Sequence, residues 1–218
     1  MRILRRLFDM SRDQSPLREF LSALSFEQAA LTYRNVSNSD LRLPAALSTW
    51  ALHLAHRYTE GLLEMVRALN KPAGLALDAA YDQVAIEAAA VVHYWLMREF
   101  LQEDEVDDAD QPYFDVLRDA AQISNSILTQ KAPAIASETW LFKRAMKFSH
   151  GEVFKSESLG KEFSSLIIAA VGNANDGNAG LYVQLAAASY YPIFLSTHLE
   201  QFRKSARGMY IAHQEGDL

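Results

Sequence analysis

The sequence predicts an all-α, single-domain helical bundle of about seven to nine helices, packed around one buried central helix and one buried helical hairpin. Three observations carry that expectation. Apolar residues recur at helical spacing through most of the 218 residues, and no run alternates polar with apolar residues as a half-buried strand would. Nine Gly and six Pro are few for that length, which suits long helices joined by short turns. Residues 163–199 carry one formal charge, Asp176, where a chain with 22% charged residues would place about eight. A segment so poor in charge is expected to avoid water along most of its length. It splits at an Asn/Gly-rich joint, 172–180, whose residues supply left-handed turn conformations. Two apolar runs flank that joint and predict the hairpin.

The elements follow in order. Ser15 with Pro16 is a cap and a first-turn proline, opening a short helix to about Leu24. Ser25 and Gln28 have the spacing of a capping box and open the next, which ends before 35–39. Pro44 is expected to start a long helix to Leu69, stopped by Asn70, Pro72 and Gly74. Leu47, Ala51, Leu54, Tyr58, Leu62, Met65 and Leu69 fall on its core stripe. His53, His56, Glu60 and Glu64 lie opposite, beside Arg57 and Arg67. A helix over 75–102 is apolar on nearly every side and is the predicted centre. An acidic linker, 103–110, precedes a helix capped by Asp110 and Pro112 and running to about Gln130. Ser137 opens a helix to about Ser149 with Gly151 as its stop. The hairpin comes next, and Pro192 is expected to kink or restart the path into a last helix reaching His213.

Composition narrows the function classes. The absence of Cys removes disulfides, thiolate zinc sites, iron–sulfur clusters and thiol nucleophiles, and suits a reducing, cytoplasmic compartment. The net charge of −6 argues against DNA binding, which needs a broad basic face. Residues 1–14 are a basic amphipathic arm, with Ile3, Leu4, Leu7 and Phe8 opposite Arg2, Arg5 and Arg6. Charges break its apolar run too soon for a secretory signal. Neither run of the hairpin reads as a transmembrane segment. The first is shorter than the roughly 20 residues a span needs, and the second carries Gln184, Pro192 and His198.

Catalytic and cofactor signatures are missing. No Walker loop, no Gly-x-Gly-x-x-Gly fingerprint and no nucleophile elbow occurs. None of the six His has Glu three residues before it, as di-iron bundles require, and there is no His-Glu-x-x-His zinc motif. The stripe of His53, His56, Glu60 and Glu64 holds metal-ligand types, yet Arg57 and Arg67 share the face, the pattern of a solvated surface laced with ion pairs. No metal and no cofactor is expected. On the central helix, His93 sits among apolar residues as a core histidine with one satisfied hydrogen bond. Glu87, Tyr94 and Arg98 share another face, which with His93 marks a candidate polar, ligand-binding cavity.

The last helix contains Arg207-Gly-Met-Tyr-Ile-Ala-His213, an Arg and a His separated by five residues. That spacing resembles the Arg-x(4–6)-His signature of HEPN ribonucleases, small all-helical proteins. The resemblance covers seven residues and departs from the family at Gly208, where a polar residue is usual. It implies RNA as substrate, with Arg207 stabilising the phosphate and His213 acting as general acid or base.

With no complete catalytic pattern, the leading expectation is a non-enzymatic protein–protein interaction or regulatory module that engages a protein partner or itself. The HEPN-like ribonuclease and a bundle holding a small apolar ligand are the alternatives.

Overall fold

The computed structural model describes residues 15–69, 77–101, 106–136, 141, 144, 156–171 and 177–216. The basic arm, residues 103–105 of the acidic linker, all but Leu141 and Arg144 of the helix expected from Ser137 with its stop at Gly151, and residues 172–176 of the hairpin joint lie outside them. The chain is an all-α helical bundle.

Helix α1 (Pro16–Ser22) and α2 (Phe26–Asn35) are short and capped as their sequences require. The Ser15 hydroxyl accepts the Arg18 N–H and the Ser25 hydroxyl accepts the Gln28 N–H. Helix α3 (Ser39–Leu69) is the organising rod and packs against α1, α2 and the long helices introduced below, most lightly on the first of the hairpin pair. It starts five residues before Pro44, which was expected to open it. Side chains hold that first turn: Asn38 Oδ1 accepts the Asp40 N–H at 3.1 Å, and Arg42 Nε donates to the Val36 carbonyl at 2.9 Å. Leu47, Ala51, Leu54, Tyr58 and Leu62 are buried as their spacing predicts, whereas Leu69, at the helix end, is 48% exposed.

After a 3₁₀ turn (Leu77–Ala80), α4 (Tyr81–Leu101) runs through the centre, with 16 of its 21 residues buried. Helix α5 (Gln111–Lys131) packs on α3 and α4. Asp110 stands before it without capping it through its side chain, because its carboxylate accepts instead from Arg207 Nη2 at 2.6 Å.

The hairpin consists of α6 (Ser156–Val171) and α7 (Gly177–Phe194), which pack most extensively on each other. An aromatic cluster fastens it to α3: the Tyr58 ring lies 5.0 Å from Phe163, 5.4 Å from Tyr190 and 5.1 Å from Phe194. Such pairs contribute about 0.5–1.5 kcal/mol each beyond area burial. Pro192 does not restart the chain. Helix α7 runs past it into a π turn (Leu195–Leu199) and on into α8 (Glu200–Glu215). In the π turn the Glu200 N–H donates to the Leu195 carbonyl, five residues back, and the Thr197 hydroxyl donates to the Ile193 carbonyl. The wider register absorbs the irregularity that Pro192, lacking an N–H, introduces one turn earlier.

Candidate functional site

The four polar residues of the central helix make separate contacts. His93 is fully buried, and its Nε2 stands 2.8 Å from the Ser124 hydroxyl, which is itself 2.8 Å from the Ser48 hydroxyl. A Ser beside a His has the parts of a nucleophile and a base. All three side chains have no exposed surface, however, and His93 Nδ1 has no hydrogen-bond partner, so no acid orients the ring. Burial pushes the imidazole down to about 3, which keeps it neutral. The chain Ser48–Ser124–His93 is a buried hydrogen-bond string tying α3, α5 and α4 together.

Glu87 is 3% exposed and accepts from Arg144 Nε at 2.7 Å; Arg144 also pairs with Glu162 of α6. One guanidinium thus serves two carboxylates on two helices, which offsets the cost of burying Glu87. Arg98, on the same helix face in sequence, goes elsewhere. Its guanidinium lies 3.9 Å over the Trp95 ring and 3.9 Å from Glu200. Tyr94 is buried in the core.

The polar stripe of α3 is engaged across helices rather than along its own. His56 Nδ1 is 2.6 Å from the Tyr81 hydroxyl. Glu60 takes a two-pronged bond from Arg18 of α1, at 2.9 and 3.2 Å, and Arg67 faces Asp78 at 3.8 Å. Among the described residues, no group of three or more His, Cys, Asp or Glu side chains is placed to hold a metal ion.

Arg207 and His213 leave α8 in different directions. Arg207 binds Asp110 and lies 4.6 Å over the Tyr113 ring, whereas His213 Nδ1 stands 2.7 Å from the Tyr33 hydroxyl on α2. The two side chains do not converge on one phosphate within a single chain.

The most distinctive surface is on α7, and sequence reasoning had placed it inside. Val183, Ala186, Ala187, Tyr191 and Phe194 turn inward and are buried. On the outer side Leu181, Tyr182, Leu185 and Ile193 are 54%, 42%, 50% and 55% exposed, joined by exposed Ser189 and Pro192. Positions 181, 185, 189 and 193 follow one another at four-residue spacing and form a single stripe along the helix. Exposed Ser165 and Ala169 of α6 continue the uncharged surface. Nothing in the described part of the chain covers this side. Helix α6 takes one flank of α7 and α3 takes another, and the third is left open. Among the described residues, no helix is long and apolar enough to cross a membrane.

No family model, no curated protein and no solved structure matches this chain. The functional reading therefore rests on the chain's own geometry.

Proposed function

We propose that this protein is a non-enzymatic interaction module whose contact surface is the outer face of α7, and that the face is covered by the same face of a second copy. The observation that carries the reading is the uncharged stripe Leu181–Leu185–Ile193, exposed on a helix with no Asp, Glu, Lys or Arg between its first and last residue. Contiguous exposed apolar surface of this kind marks a docking site rather than a solvated wall.

A second copy suits it for electrostatic reasons. The chain carries a net −6, so two molecules repel through most orientations. Facing α7 to α7 brings together the segments that contribute no charge, and an isologous pair needs no matching of ions. Small Ser189 and Ala169 let the helices approach. A lipid surface fits less well, because helices that lie on membranes line their apolar face with Lys and Arg, and none occurs between Lys161 and Arg203.

Light scattering on a dilution series tests this. The wild-type chain should show a mass rising toward twice 24.5 kDa with concentration, and Leu185→Glu should hold it at the monomer value. A wild-type mass that stays monomeric throughout would remove the reading.

A further inference from the structure

A second surface, independent of the α7 face, lies where α2, α3, the π turn and α8 meet. A cavity of about 360 Å³ opens there. Its apolar wall is aromatic: Trp50 is held between Phe26, at 4.9 Å and 70°, and Phe202, at 4.6 Å. Its polar side is made by His53 and Arg57, one helical turn apart on α3, and by His198 and Gln201 from the π turn and the start of α8. His198 lies within the π turn, and π turns are frequent at functional sites.

Two features distinguish the cavity from the rest of the surface. Among the described residues its lining holds no carboxylate, in a chain of net charge −6. Arg57, like Arg34 and Arg42, makes no ion pair among the described residues, and of these three it alone lines this cavity. Glu27, near His53, has its carboxylate hydrogen-bonded by Ser25 in the cap of α2. His53 also carries a buried Nδ1 without a partner. Desolvation first, with the Arg57 charge adding to it, holds both His53 and His198 below the ordinary imidazole range, against a hydrogen bond to the Leu24 backbone at His53, so both rings are neutral at pH 7.

We infer that this cavity binds a small aromatic monocarboxylate, with the ring against Trp50 and Phe202 and the carboxylate on Arg57 between the two imidazoles. One fixed cation matches one negative charge. A phosphate dianion would ask for further cations, and the lining residues include no Lys. A planar guanidinium and a planar carboxylate form parallel N–H···O bonds. A cavity of this size lies at the lower end of small-molecule sites and suits a one-ring ligand.

The test is a titration followed through the ring-proton NMR signals of His53 and His198, with benzoate, its neutral isostere benzamide, and inorganic phosphate as probes. Benzoate should move both signals saturably, and benzamide and phosphate should bind at least about tenfold more weakly, the loss of one charge-assisted bond. Arg57→Gln should weaken benzoate to the same degree while leaving thermal unfolding unchanged, since Arg57 supports no ion pair. Equal binding of benzoate and benzamide, equal binding by Arg57→Gln, tighter binding of phosphate, or no saturable shift with benzoate would each overturn the assignment. Because the readout is ligand binding, its failure leaves the pairing of α7 faces untouched, and the reverse holds too.

Discussion

The phenol of Tyr190 lies directly over Gly61, leaving no room there for a Cβ, and so sets how closely α7 approaches α3. A second glycine does the same within the hairpin. A Cβ at position 160 would stand 2.8 Å from the Ala188 Cβ and 2.9 Å from its Cα and N. The open face of α7 is held in place by these two close approaches.

They predict an asymmetry. Gly160→Ala meets the backbone of α7, which cannot step aside, and should cost about 1–3 kcal/mol through forced separation of the helices. Gly61→Ala meets the end of a half-buried side chain that can swing outward, and helix propensity returns up to about 1 kcal/mol. Urea unfolding of both variants checks this; a Gly61→Ala loss at or above that of Gly160→Ala would contradict the packing described.

His93 predicts a pH dependence. The unfolded imidazole titrates near its ordinary 6.5, and the buried one near about 3. Between those values only the unfolded chain binds the proton. Stability is therefore undiminished above 6.5 and falls as pH drops through that window, by about 1.4 kcal/mol per unit. Relative to pH 7, about 2 kcal/mol should be lost at pH 5 from this group. His53, His56 and His198 are shifted in the same direction, so the comparison must be with His93→Gln, whose curve should be flatter. Parallel curves for the two proteins would refute a neutral buried His93.

The shared guanidinium of Arg144 predicts a non-additive pair. Arg144→Leu takes the shared cation away from the buried Glu87 and should destabilise by about 3–5 kcal/mol. Adding Glu87→Leu removes that carboxylate and should recover much of that loss. Chemical denaturation of both single variants and the double variant completes the cycle. Additive losses would mean the contact carries little.

Arg207 and His213 face different neighbours, which predicts no ribonuclease activity from this pair. Purified protein should leave a mixed-sequence RNA intact. RNA cleavage that vanishes in His213→Ala would overturn the non-enzymatic reading.

Much of the fold was legible because its signals are local. The Ser15 and Ser25 caps, the core stripe of α3 and the all-round apolar surface of α4 each lie within one helix, and the structure follows them. What the sequence hid depends on distant partners. Glu87 finds Arg144 57 positions away, and Asp110, read as a cap, is drawn to Arg207 97 positions away. The open side of α7 was hidden for another reason. A helix apolar all round carries no periodic mark of which side stays uncovered, so Leu181 and Leu185 read like Val183 and Ala186. The cavity at Arg57 was also out of reach, since the polar stripe showed its α3 residues but not the π turn that carries His198.

The central claim, that two α7 faces cover each other, is tested most directly by cross-linking through a single engineered cysteine, which the natural chain's lack of Cys makes unambiguous. Ser189→Cys, in the middle of the exposed stripe, should form an intermolecular disulfide under mild oxidation, and Leu185→Glu in the same chain should abolish it. Ser22→Cys, exposed on α1, should stay monomeric. Equal cross-linking at both positions, or none at Ser189→Cys, would contradict the account.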